Sequence, residues 1–181
     1  MVRKQAWNVM GSLVLACALL PAMGVLAATP APSLCEASEV VVLTCELKGS
    51  RKMLSLCAGA NFPAPGASLQ YRFGAPGKVE LRYPEGHPDA RKAFLYSATG
   101  YSGGGEVHIR FANGAYDYIL FERTVQVESG GKRKPQFSAG VVARKAQKVL
   151  SVRTCAQGSA LQLDVADQLP AEEFETIDEL P

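Results

Sequence analysis

The sequence predicts an all-β protein, an antiparallel barrel or sandwich of about eight or nine strands tied together by disulfides. Three observations carry that expectation. From Val40 onward, apolar and polar residues alternate with a period of two, the pattern of strands with one buried face. Clusters of Gly, Pro and Asn separate these runs at short intervals. Four of the five cysteines follow an export signal, an even number in a chain bound for an oxidising compartment.

Met1 to Ala28 has the three parts of a secretory signal: basic Arg3 and Lys4, an apolar run from Val9 to Leu26, and a small-residue exit at Val25-Leu26-Ala27. Gly11, Pro21 and Gly24 weaken a membrane-spanning reading of this run. Lipidation at Cys17 would leave a second apolar run, Ala18 to Ala28, which a lipid anchor does not need. The expected organisation is a signal peptide over 1–28, a lead segment over 29–39, a β domain over 40–160 and an acidic tail over 161–181. No transmembrane segment is expected once the signal is removed, and the address is periplasmic or secreted. About 150 residues remain, enough for one domain with a sizeable core.

The first strand runs from Val40 to Leu47 and turns at Gly49-Ser50, a pair suited to a two-residue type II′ loop, into Lys52 to Ala58. That turn puts Val41, Leu43, Cys45 and Leu47 on one face with Leu54 and Leu56, and Cys57 on the other. After a Pro/Gly loop, Leu69, Tyr71 and Phe73 alternate toward a second hairpin with Val79, Leu81 and Tyr83. Matching their apolar faces sets Phe73 opposite Val79 and Arg72 opposite Glu80, around Ala75-Pro76-Gly77. A strand over Ala93 to Ser97 follows the turn-rich Pro84 to Asp89, and Thr99 to Gly105 reads as a mobile glycine-rich loop.

Asn113-Gly114 then lies between two alternating runs and predicts a type I′ hairpin. Its register sets Phe111 opposite Tyr116 and Arg110 opposite Asp117. Val107, Ile109, Phe111, Tyr116, Tyr118 and Leu120 share the apolar face. The second arm continues through Val127 to Ser129-Gly130-Gly131, and Phe137 to Ala143 and Val149 to Cys155, joined near Ala146-Gln147, complete nine strands. In the tail, Pro170 with Glu172 and Glu173 suits a helix start, yet low apolar content and high charge favour a disordered segment that folding does not need.

Cys35, Cys45, Cys57 and Cys155 admit three connectivities. Cys45 and Cys57 lie three rungs apart, roughly 10 Å along the strand, beyond the ~7 Å Cα separation a disulfide tolerates. An up-and-down order, with the ninth strand running in the direction of the first, brings Cys155 to Cys45 and Cys35 to Cys57. A zinc site is disfavoured, because no pair has the short Cys-x-x-Cys spacing and His87 and His108 lack ligand-like neighbours.

Charge and chemistry narrow the function. The 19 basic residues, less Arg3 and Lys4, leave 17 against 17 acidic, but seven of the acids lie between Asp164 and Glu179, so the preceding body carries a net +7. Export and the spread of one or two basic residues per strand argue against a nucleic-acid partner. His108 alternates with Glu106 and Arg110 as an exposed strand residue, and His87 sits in a turn, so neither is placed as a general base. Glu85, His87 and Asp89 read as surface polarity in a Pro/Gly turn rather than as metal ligands, and Gly103-Gly104-Gly105 precedes a strand rather than the helix a phosphate cradle needs. No catalytic residue, metal or cofactor is assigned. The expectation is a non-enzymatic binding or inhibitor module of the cell envelope; the alternative is an envelope hydrolase whose carboxylates assemble only in three dimensions.

Residues 45 to 58, 69 to 74 with 78 to 84, and 111 to 118 (Phe-Ala-Asn-Gly-Ala-Tyr-Asp-Tyr) together resemble a family of small exported proteobacterial proteins with no established activity. That resemblance implies a periplasmic address and a β-fold. A second similarity is to the periplasmic lysozyme inhibitors, whose Ser-Gly-x-x-Tyr loop enters the lysozyme cleft. Ser97-Ala98-Thr99-Gly100-Tyr101 keeps the Ser and Tyr spacing with the glycine displaced to the fourth position. It makes Ser97, Thr99, Gly100 and Tyr101 a candidate partner-binding loop, with an envelope protein such as a lysozyme-type hydrolase as the partner.

Overall fold

Nine antiparallel strands carry the alternating runs. A computed structural model of the protein describes residues 32–86, 89–156, 159 and 161–181; the expected signal peptide lies outside them. One sheet contains β1 (Glu39–Glu46), β2 (Met53–Gly59), β3 (Leu69–Ala75) and β4 (Lys78–Tyr83). The other contains β5 (Leu95–Tyr101), β6 (Gly104–Asn113), β7 (Tyr116–Ser129), β8 (Lys132–Lys145) and β9 (Lys148–Thr154). Each sheet is ordered as in the sequence. A helical turn, α1 (Ala90–Ala93), joins the sheets, and a second, α2 (Leu163–Ala166), follows β9.

Neither sheet closes on itself, so the barrel alternative is excluded and two open sheets face one another across a shared core. The interruption falls after β4, where the chain starts a new sheet instead of pairing β5 with β4. Leu54, Leu56, Leu69 and Tyr71 of the first sheet meet Ile109, Phe111, Leu120 and Val141 of the second. The rings of Tyr71 and Phe111 lie 5.0 Å apart, and Phe111 stacks on Tyr83 at 4.6 Å and on Tyr118 at 5.0 Å. Each such fully buried large side chain stabilises the fold by roughly 1.5–3 kcal/mol. Leu161, Ala166 and Leu169, on and around α2, join the same core.

Two disulfides form, Cys35 with Cys57 and Cys45 with Cys155, at Cα separations of 5.4 and 5.5 Å, and Cys45 is not bonded to Cys57, as rung spacing requires. The route to the second pair differs from the expectation. Leu47 bridges Cys155 in antiparallel fashion, so the ninth strand does not run with the first, because the break between β4 and β5 resets the alternation of directions. Lys48 N donates to Thr154 O and Ala156 N to Glu46 O, both at 2.8 Å, which seals this seam between the sheets.

Several turns sit one position away from the expected ones. The β6–β7 turn is Gly114-Ala115, with positive φ (62°) only at Gly114, as a type II′ turn requires. Asn113 therefore pairs with Tyr116 and Phe111 with Tyr118. The slip is two residues, which preserves every face. Arg110 now pairs with Ile119, yet it reaches Asp117 diagonally at 3.2 Å. In the first hairpin the Cys45 to Leu54 register holds, but Gly49 (φ 70°) is the third residue of a Leu47–Ser50 turn, and a bulge between Val41 and Leu43 puts Val42 rather than Val41 in the core. In the second, Pro76-Gly77 forms the turn and a bulge at Gly74 sets Phe73 opposite Leu81 and Arg72 opposite Arg82. A Cβ on Gly74 would lie 2.3 Å from Lys78 O, so only glycine fits that bulge. Glu80 pairs instead with Lys52 at 2.6 Å.

The two ends of the described chain cover the outer faces of the two sheets. Residues before β1 lie over Ser55, Cys57 and Arg72. The acidic tail, expected to be disordered or a short helix, is an extended strap across the second sheet, with Ile177 and Leu180 buried against Ile119, Phe121 and Val142. Ala171 forms a parallel bridge with Tyr96, and Tyr96 N donates to Pro170 O at 2.9 Å. The tail is thus part of the domain.

Candidate functional site

The stretch expected to be a mobile loop is a tight hairpin. Thr99, Gly100 and Tyr101 belong to β5, Gly104 and Gly105 to β6, and Gly103 (φ 81°) takes the turn. Glycine is needed here for close packing, since a Cβ on Gly104 would fall 2.0 Å from Thr124 O. Of the candidate partner-binding residues, Ser97 is buried and turned under the C-terminal strap, and Thr99 is half-buried. Gly100 is exposed, as is Tyr101, whose hydroxyl donates to Gly105 O.

Ser97 pairs in register with His108, and Glu106 lies two residues before it on the same face. His108 is not exposed as expected. It is 3% exposed, its Nε2 lies 2.6 Å from Glu106 Oε1, and the Phe174 ring stacks on its imidazole at 4.8 Å. A serine, a histidine and a carboxylate in contact would invite a hydrolase reading. The cavity beside them holds only about 30 Å³, far below the several hundred of a ligand site. Among the described residues, no hydrogen bond joins Ser97 to the imidazole.

Arginines fix the strap over this cluster. Arg110 Nε donates to Glu172 Oε2 at 2.9 Å and Arg144 Nη1 lies 2.7 Å from Glu175 Oε2. Arg123 donates to Leu180 O at 2.7 Å, with its Nε 3.4 Å from Glu106 Oε2. The hydrogen bonds that Arg110 donates to Glu172, aided by the charges of Glu172 and Asp117, outweigh burial and raise the Arg110 pKa above its ordinary value. Glu172 and Glu175 of the tail thus neutralise Arg110 and Arg144 of the second sheet.

The first sheet repeats this arrangement. Arg72, 3% exposed, makes a two-point contact with Glu39 at 2.6 and 2.7 Å, and also donates to Leu34 O and Gln70 Oε1. The Glu39 carboxylate approaches the sulfurs of Cys35 and Cys57, but both sulfurs are bonded to each other and are not thiolate ligands. Glu39, paired with Arg72, and Glu106, paired with Arg123, lie on the outer faces of different sheets and do not face one another across a cleft. Of the Glu85, His87 and Asp89 trio, His87 lies outside the described residues.

An open concave surface with an apolar lining lies elsewhere, between the sheets. The inward positions of β9 carry Ser151 and Arg153 instead of large apolar side chains, so core filling stops at Val141 and Ala143 of β8. The result is a groove of about 440 Å³. Phe73, Leu81, Tyr118, Val141 and Ala143 line it, with Tyr71 beneath. Burial, with Tyr118 nearby, pushes the Tyr71 phenol well above the ordinary tyrosine pKa. Lys52, Glu80 and Arg153 supply charge at the rim, and Lys52 Nζ sits 5.3 Å from the centre of the Phe73 ring. Apolar lining with a few placed charges is the usual make-up of a binding site. Nothing in the sequence pattern pointed to it except the polar inward residues of the last strand.

No protein-family model matches the chain, and neither a curated protein nor a solved structure does. Among the described residues, no helix is long and apolar enough to cross a membrane.

Proposed function

We propose that the protein is a non-enzymatic binding module of the cell envelope, acting after export, and that a macromolecular partner inserts apolar side chains into the groove between the sheets. The observation that carries this reading is the groove itself, apolar and aromatic in lining, charged at the rim and open. The two disulfides support an oxidising, extracytoplasmic address such as the periplasm. Partner classes include a lysozyme-type hydrolase, engaged through the groove and not through the Ser97 to Tyr101 stretch, of whose candidate residues only Gly100 and Tyr101 are exposed.

The test is capture of partners from envelope extract by the oxidised mature protein and by two variants. Ser151→Trp fills the groove from β9 without touching the inner core, and Tyr101→Ala alters the β5–β6 hairpin. The reading expects the partners to be lost with Ser151→Trp and retained with Tyr101→Ala. Full recovery with Ser151→Trp refutes the groove, and cleavage of peptidoglycan fragments by the pure protein refutes the binding class in favour of a hydrolase.

A further inference from the structure

The β7–β8 hairpin outruns the sheet that carries it. Pairing of β7 with β6 ends at Thr124, and pairing of β8 with β9 ends at Gly140, whereas β7 and β8 pair with each other out to Ser129 and Lys132. The five further rungs make a two-stranded arm roughly 17 Å long. Its turn, Gly130-Gly131, has positive φ at both positions (62° and 70°), so the tip is tight and well defined.

The composition of the arm is unlike that of a loop that only connects strands. Lys132, Arg133 and Lys134 are consecutive and exposed; Arg133 lies on the Phe137 face of the arm opposite Glu128, and Lys132 and Lys134 lie on the other face, so the three border the edge of β8 that β9 leaves unpaired. At the root, Phe137 is 67% exposed, the most exposed of the large hydrophobic side chains among the described residues. Phe137 pairs with Thr124, which lines an open, mostly apolar groove of about 330 Å³ with Ala98, Val107 and half-exposed Leu163. Elsewhere the strap acids Glu172 and Glu175 neutralise Arg110 and Arg144 of this sheet, but among the described residues no strap acid pairs with the arm cations.

We infer that this arm is a docking surface for an anionic lipid bilayer. Basic residues gather where the surface potential is negative, while an exposed aromatic and an aliphatic side chain beside them enter the boundary between headgroups and acyl chains. Phe137 and Leu163 supply the apolar contact, and Lys132, Arg133 and Lys134 supply the charge. The surface is separate from the inter-sheet groove and does not depend on it.

The experiment is cosedimentation of the oxidised mature protein with vesicles of equimolar phosphatidylglycerol and phosphatidylcholine, and with vesicles of phosphatidylcholine alone. Binding is expected to the anionic vesicles only and should fall with added salt. Each basic residue near such a surface contributes about fivefold in affinity, so the variant Lys132→Gln, Arg133→Gln, Lys134→Gln should lose roughly a hundredfold. Phe137→Ser should lose about tenfold. A control, Lys48→Gln with Arg51→Gln, removes exposed charge from the β1–β2 turn and should leave binding unchanged. Near-ultraviolet circular dichroism verifies that each variant is folded. Failure to bind anionic vesicles, equal binding to neutral ones, full binding by the arm triple variant, or equal loss in the control each overturns the inference. So does tight binding of soluble polyglutamate that ignores Phe137→Ser, which would mark a polyanion site in place of a lipid one.

Discussion

Replacing Ile177 with alanine should lower the melting temperature although the residue lies in a tail rich in acids and only four positions before the last residue of the sequence given. Ile177 is 6% exposed and packs with Leu180 on Ile119, Phe121 and Val142. Truncating a buried isoleucine to alanine costs about 2–5 kcal/mol, and a strap at the periphery of the fold relaxes enough to place this site near 2. For a domain of this size each kcal/mol moves the midpoint by roughly 3 °C, so the expected shift is about 6 °C downward. The assay is thermal unfolding of the oxidised protein by near-ultraviolet circular dichroism, with the exposed Glu179→Ala as the control. A shift below about 2 °C, indistinguishable from a surface substitution, would show that the strap contributes nothing and would refute the argument that it is part of the domain.

Three further outcomes follow from the geometry. Glu39→Ala leaves Arg72 buried without its partner and should cost about 3–5 kcal/mol in urea unfolding; a loss under about 1 kcal/mol would show that the Arg72 charge is satisfied by Leu34 O and Gln70 alone. The disulfide spanning 110 residues, Cys45–Cys155, should contribute more than Cys35–Cys57, which spans 22. Chain entropy gives roughly 5 against roughly 3 kcal/mol, and paired Cys→Ser variants in which the order is reversed would contradict it. The buried Tyr71 phenol ionises far less readily in the folded state than in the unfolded one, so its contribution is complete below the ordinary tyrosine pKa of about 10 and is lost as pH rises above it. Tyr71→Phe should therefore flatten the alkaline arm of the stability profile, and an unchanged alkaline arm would be inconsistent with that burial.

The strands and the exclusion of a Cys45–Cys57 bond were legible because both rest on local arithmetic. Alternation places Phe111 and Leu120 inward whichever residues make the turn, since Asn113-Gly114 and Gly114-Ala115 differ by a two-residue slip that leaves faces intact. Rung spacing alone separates Cys45 from Cys57. The site was not legible for the opposite reason. Glu106, His108 and Arg110 read as a solvated face because what covers them, Glu172 and Phe174, comes more than sixty positions later, held by pairs such as Arg110 with Glu172. The strap has few apolar anchors, Ile177 and Leu180 chief among them, so its composition resembles that of a disordered tail. It orders because buried arginines on the sheet complement its carboxylates. The inter-sheet groove is likewise a matter of what β9 omits, Ser151 and Arg153 standing inward where larger apolar residues would complete the core.

Hydrogen exchange on the complex with a captured envelope partner tests the central claim most directly. The account predicts new protection on both walls of the groove, in β3 and β4 around Phe73 and Leu81 and in β9 around Ser151 and Arg153, with the β5–β6 hairpin unchanged. Protection confined to Thr99 to Gly105, with the groove exchanging as in the free protein, would contradict it.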